Sequence, residues 1–183
     1  SLGCLVSSID PALFFYHQDG ELKGILSLFV DDALYAGEQE FLDHVMKKIC
    51  SLFTIGSQQE QAFKYIGIDM AQSEDMSIYV NQNPYTSKLK AIPTMKYNLP
   101  MEAPIPEELR TPIHSLSGQV NWAATVSRPD VSYQACQTST IITKATMKDV
   151  HMLNKTVKYL CNNPVVIQIP RRLSLADSFM EVY

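Results

Sequence analysis

Through the first half of the chain apolar residues come in short β-favouring runs separated by turn-forming ones, and from Leu109 onward they recur three and four apart. The first pattern predicts strands and the second helices. The first nine residues read as the end of a helix, closed at Asp10-Pro11 because a residue before proline is pushed out of helical geometry. Ala12 to His17 reads as a strand, Gln18-Asp19-Gly20 as a turn and Leu22 to Val30 as the returning strand. A second short apolar run, Ala33 to Ala36, follows Asp31-Asp32, so three consecutive strands are expected to make a small antiparallel sheet. Glu38 to Phe53 carries Phe41, Val45, Ile49, Leu52 and Phe53 at helical spacing and is expected to pack on one face of that sheet. Lys47 and Lys48 fall near its end, where cations suit the helix dipole.

After a polar loop, Gly56 to Gln61, the runs FKYIGIDM (Phe63 to Met70) and MSIYV (Met76 to Val80) read as a hairpin joined through Gln72 to Asp75. Within the first run Gly67 either lets another backbone approach closely or marks a bulge. Tyr85 to Ile92 reads as a short helix after Pro84. Residues 93 to 112 then hold five prolines, which forbid regular structure and mark a linker, placed at 93–108. Helical periodicity resumes through Ile113, Leu116, Val120 and Ala124. It stops at Ser127-Arg128-Pro129-Asp130, where Pro129 suits the first turn of the next helix and Asp130 its N-terminus. Val131 to Ile142 and Met147 to Cys161 read as two more helices, and Val165 to Ile169 as a strand. The fold class expected is α+β: a small antiparallel sheet with packed helices over residues 1–92, a helical subdomain over 109–163, and a connecting piece over 164–183.

Composition narrows the functional classes. With 183 residues and 46% hydrophobic content the chain can build one good core or two small ones. No run of eighteen apolar residues occurs, so no membrane span or membrane partner is expected. The four cysteines, at 4, 50, 136 and 161, show no zinc-type spacing and are expected as reduced thiols of an intracellular protein. The chain begins with Ser and shows no signal-peptide pattern, and it is expected to be a piece of a longer polypeptide.

The net charge of −4 hides a division along the chain. Residues 1–90 carry 12 acidic and 6 basic side chains, and residues 91–183 carry 7 and 9, so carboxylates and cations are concentrated in different places. Lys144, Lys148, His151, Lys155 and Lys158 recur at spacings of 4, 3, 4 and 3, which sets them on one helical face opposite Met147, Val150, Leu153, Val157 and Leu160. Such a face is either the solvated side of a helix or a row of contacts to phosphates.

The densest chemical signal is GILSLFVDDALYAG, residues 24–37. Two adjacent carboxylates between apolar strands break the alternation unless they sit at the turn of a hairpin. Like charges held together there repel, and a divalent cation is the usual partner that offsets the repulsion. A solvated acidic turn is the alternative reading of the dipeptide.

FVDD followed by ALYAG resembles the catalytic hairpin of reverse transcriptases, written Tyr-x-Asp-Asp, and most closely that of Ty1/copia-type retrotransposons; Phe29 stands where the tyrosine is usual. LSGQVNWAATVSRPDV, residues 116–131, resembles the region just after the polymerase palm in copia-type polyproteins. The order of hairpin, amphipathic helix and a second hairpin with an aromatic-x-x-Gly pattern is likewise similar to that family.

The resemblance implies a partial palm with a thumb-like helical part of an RNA-directed DNA polymerase. It implies Asp31 and Asp32 as catalytic ligands of Mg²⁺ or Mn²⁺, and Lys64, Tyr65, Ile66, Gly67 and Ile68 in a primer-grip-like position. The partners it implies are an RNA template with a DNA primer, deoxynucleotides in the intact enzyme, and the fingers and ribonuclease H parts of the polyprotein; residues 164–183 would open the ribonuclease H-like domain. A cytoplasmic particle, and the nucleus, are the locations that follow. Reverse transcriptases also need a third carboxylate, on an earlier palm strand; Asp10, before a proline, and Asp19, in a turn, are in the wrong context to supply it. The competing reading is a non-catalytic remnant or binding module derived from such an element.

Overall fold

The computed structural model describes residues 2–95, 97–141 and 144–171. It is an α+β chain with two four-stranded antiparallel sheets, and it divides into two compact units, residues 1–66 and 67–183. The division falls inside the second hairpin rather than at the proline-rich stretch, so residues 67–92 belong with the helices.

Unit one is built on the sheet β1-β2-β3-β4: Cys4–Val6, Leu13–Gln18, Glu21–Phe29 and Asp32–Gly37. The expected helical start is a strand instead, and the sheet has four strands where three were expected. Cys4, Leu5 and Val6 pair with Tyr16, Phe15 and Phe14. The connecting turn closes on itself through polar side chains: the Ser7 hydroxyl accepts from the Ile9 and Asp10 amides, and the Asp10 carboxylate from that of Ala12. Pairing and turn chemistry together outweigh any helical tendency in so short a run. The β2–β3 turn is Asp19-Gly20, both at positive φ, as a two-residue hairpin of this hand requires.

One face of this sheet carries Tyr16, Gly24, Leu26 and Tyr35. Against it lies the helix over residues 39–52, formed by α1 (Gln39–Phe41), a π-helical segment (Leu42–Met46) and α2 (Lys47–Leu52). Phe41 and Val45 are fully buried, as the periodicity predicts, but Leu52 and Phe53 face solvent. The widened π turn adds a residue to the helical repeat, which brings Met46 into the buried stripe and carries the last two apolar residues out of it. Phe41 lies so close to the sheet that a Cβ on Gly24 would stand 2.2 Å from its ring.

The second sheet runs β5-β6-β7-β8: Ala62–Tyr65, Ile68–Gln72, Ile78–Asn81 and Ile167–Ile169. The run FKYIGIDM is therefore two strands, because Ile66 and Gly67 both take positive φ and reverse the chain. Gly67 is neither a bulge nor a point of close approach: a Cβ there would meet nothing within 4 Å, so the turn's backbone conformation is what glycine eases. The late strand β8 pairs with β7, so it completes this sheet. Residues 172–183, where the start of a following domain is expected, lie outside the described residues.

The helices of unit two are α3 (Asn83–Thr86), α4 (Glu107–Val126), α5 (Ser132–Ile141) and α6 (Met147–Asn162), with a 3-10 turn, Pro129–Val131, before α5. Their core contains the predicted faces of α4 and α6: Ile113, Leu116, Val120 and Ala124 on one, Met147, Val150, Leu153, Val157 and Leu160 on the other. The short helix ends at Thr86 instead of Ile92. The rest of that stretch runs along α6, where the Asn154 side chain pairs with both backbone groups of Ile92, at 2.7 and 2.8 Å. The proline-rich stretch is fixed as well. Ile105 is buried, and the amides of Met147 and Lys148 donate to the carbonyls of Ala103 and Met101. Pro112 lies inside α4, five residues past its first residue.

Candidate metal and nucleic-acid sites

The β3–β4 register sets the geometry of the acidic pair. Phe29 pairs with Asp32, which leaves Val30 and Asp31 as a two-residue turn. Val30 has φ 54°, and no positive φ occurs at Asp31. Positive φ at the first central residue alone is the pattern of a type II′ turn, which ordinarily takes glycine there. A β-branched residue in that conformation is strained, at a cost on the order of 1–3 kcal/mol. Val30 is also 88% exposed, so no burial of its own side chain offsets that cost.

Asp31 and Asp32 are both exposed at this tip, as a pair at a hairpin turn should be. Among the described residues no group of three or more His, Cys, Asp or Glu stands close enough to hold a metal ion. What the tip offers is two hard oxygen donors, suited to Mg²⁺ or Mn²⁺ but too few to complete a cage. Phe29, next to the turn, is 52% exposed, so replacing the expected tyrosine costs no buried hydrogen bond.

Lys64, Tyr65, Ile66, Gly67 and Ile68 form the end of β5, the turn and the start of β6. They thus make up the tip of a tight hairpin, with Lys64 and Gly67 exposed and the other three partly buried.

Of the five predicted phosphate contacts, α6 brings four together. Lys148, His151, Lys155 and Lys158 line one groove of about 900 Å³, whose floor includes Leu89, Met152 and Cys161. Lys144 stands apart, three residues before the helix begins, and is exposed. The groove's carboxylate, Asp149, is already engaged: it accepts from the Thr146 amide at 2.7 Å and the Thr146 hydroxyl at 2.8 Å, closing a capping box at the start of α6. Its charge serves the helix terminus, which leaves the cationic row without an ion pair among the described residues.

Two further features were not drawn from the sequence. Lys88 and Lys90 line a second groove, of about 590 Å³, beside the first; as isolated lysines in a presumed helix they gave no signal. Arg128 has a side chain only 1% exposed, forked onto Asp130 at 2.9 and 2.8 Å and stacked over Tyr159 with 5.4 Å to the ring centroid. The hydrogen bonds from Arg128 hold the Asp130 carboxyl below its ordinary range, and those to Asp130 raise Arg128. An arginine two residues before an aspartate is too common a pattern to announce a buried fork. No family model matches the chain, and no curated protein or solved structure matches it.

Proposed function

We propose that this chain is a palm and thumb-like part of an RNA-directed DNA polymerase of the Ty1/copia type. In this reading Asp31 and Asp32 serve as metal ligands, and the cationic face of α6 contacts the phosphates of an RNA template and DNA primer. The observation that carries the reading is the two-residue turn that presents both carboxylates to solvent at the end of a helix-backed hairpin, with a strained Val30 beside them. A turn kept in an unfavourable conformation next to two like charges is costly to the fold, and such costs concentrate at functional tips. Mg²⁺ or Mn²⁺, when bound, would neutralise developing charge on the oxygens exchanged in phosphoryl transfer. The protein's own contribution is to hold Asp31 and Asp32 at one tip and to set phosphate contacts along α6. Deoxynucleotides and the fingers and ribonuclease H parts belong to the intact enzyme, working inside the cell in a cytoplasmic particle and the nucleus.

A second reading, a non-catalytic remnant or binding module, is favoured by one observation: both carboxylates are exposed, as in an ordinary solvated turn. Titration with Mn²⁺ tests the metal part. Amide signals at Val30, Asp31 and Asp32 should broaden first, with affinity in the millimolar range for so open a site, and Asp31→Asn should remove the effect. Broadening centred on Glu107 and Glu108, or unchanged by Asp31→Asn, would remove the hairpin from consideration as a metal site.

A further inference from the structure

The groove of about 590 Å³ lies between α4 and the chain that follows α3. Two hydrogen bonds set its direction. The Tyr85 hydroxyl donates to the carbonyl of Gln119 at 3.2 Å at one end, and the Tyr97 hydroxyl donates to the Glu108 carboxylate at the other. The chain from 85 to 97 therefore runs antiparallel to α4. Between Glu108 and Gln119 the helix rises about 16 Å at 1.5 Å per residue. The floor is apolar, with Leu109, Pro112 and Leu116 on the helix side and Ile92 and Pro93 on the other.

Its polar groups are few and differ in kind. Lys88, in the hydrogen-bonded turn after α3, and Lys90 line the groove toward its Gln119 end, away from Glu108. Neither lysine is in an ion pair among the described residues. A further group comes from the backbone. The Asn154 side chain takes both the N–H and the C=O of Ile92 on the α6 side. No cis peptide bond occurs among the described residues, so the Ala91 carbonyl points opposite to the Ile92 N–H and away from α6. Ala91 lines the groove, and among the described residues no backbone or side-chain donor reaches its carbonyl.

We propose that this groove is a docking site for a short extended peptide with acidic residues at one end and apolar residues after them. The proposal goes beyond the polymerase reading and does not rest on it. The lysines call for a carboxylate, the floor for apolar side chains and the Ala91 carbonyl for an N–H donor. An extended peptide supplies all three, since its backbone N–H groups recur beside its side chains. A fatty acid has no N–H for the carbonyl, and a nucleic-acid strand has no apolar side chains for the floor. At about 3.3 Å per residue the groove takes about five residues. The acids would lie beside Lys88 and Lys90 and the apolar residues toward Tyr97.

Fluorescence anisotropy of the full chain tests this with a labelled Asp-Asp-Leu-Val-Leu peptide. Its comparisons are Asn-Asn-Leu-Val-Leu and a copy of the acidic peptide methylated on the backbone nitrogens of its Leu and Val residues. The acidic peptide is expected to bind most tightly, and N-methylation to weaken it about fivefold through the lost hydrogen bond. Lys88→Gln with Lys90→Gln should weaken the acidic peptide about fivefold, as two exposed ion pairs would, and leave the Asn-Asn peptide unchanged. Ser115 is an exposed residue of the groove wall, and Ser115→Trp should block every peptide. Equal affinity for the acidic and Asn-Asn peptides, or undiminished binding in Ser115→Trp, overturns the proposal. Displacement by sodium decanoate together with indifference to N-methylation also overturns it and assigns the groove to small apolar acids. Displacement by a poly(dT) strand whose own binding falls equally in the Lys88/Lys90 variant overturns it in favour of a nucleic-acid surface. Should Ser115→Trp fail to fold by circular dichroism, the peptide comparisons in the parent chain still decide.

Discussion

Gly24→Ala is expected to destabilise the first unit by about 3 kcal/mol, at the upper end for forcing an extra methyl into a packed core. The added Cβ would meet three carbons of the Phe41 ring at 2.2, 2.3 and 2.7 Å. The ring cannot turn away cheaply, because Phe41 is fully buried and packs on Tyr16 with centroids 5.9 Å apart. Phe41→Ala alone should cost about 3–5 kcal/mol through the cavity it leaves. The two changes together should cost clearly less than their sum, since the alanine at 24 then enters space the ring has vacated. Hydrogen exchange of the β3 amides would report this directly. Additive losses would mean that the helix over 39–52 and β3 can separate without strain, and that close packing does not hold the acidic hairpin in place.

Asp130→Asn is expected to cost the second unit about 3 kcal/mol, the low end for breaking a buried ion pair, because Asp130 itself is 35% exposed. The loss comes from Arg128: its guanidinium is almost fully buried, its Nη1 has no hydrogen-bond partner among the described residues, and Asp130 is the carboxylate it forks onto. Converting Arg128 to Met in the same protein should restore most of the stability, since an apolar side chain leaves no charge to compensate. Trp122, the single tryptophan of the chain, lies in α4 and makes urea unfolding of this unit visible by fluorescence. Acid should act like the mutation. The folded-state pKa of Asp130 is depressed, so its contribution is fully present above its unfolded value near 4 and is lost as pH falls through the lower folded value. In Asp130→Asn that acid-dependent component should vanish. A variant as stable as the parent would show that solvent reaches Arg128 well enough to replace its partner.

These contacts separate what the pattern of residues could reveal from what it could not. The apolar faces of α4 and α6 were legible because helical periodicity is carried by every third or fourth residue, and the core uses nearly all of them. The acidic pair was legible because charge at that point violates strand alternation. Strand β1 was missed since three residues give no period to read, and its existence depends on Phe14, Phe15 and Tyr16 being available as partners. The break at Ile66-Gly67 was missed because an isoleucine at positive φ contradicts its own propensity. Leu52 and Phe53 fit the helical spacing and still point outward, since one π turn changes the phase of everything after it.

The turn at Val30 has a consequence for anyone engineering this chain. Residue 30 is a position where selection for robustness and selection for the metal-binding role proposed for the acidic tip are expected to diverge. Variants screened only for a higher melting temperature should drift there toward glycine or asparagine, which accept a positive φ with little penalty. The hairpin would become easier to form and its tip looser, so that the two carboxylates sample more arrangements. A sequence library scored for thermal tolerance alone would therefore erode the fixed spacing of Asp31 and Asp32 while every global measure of folding improved.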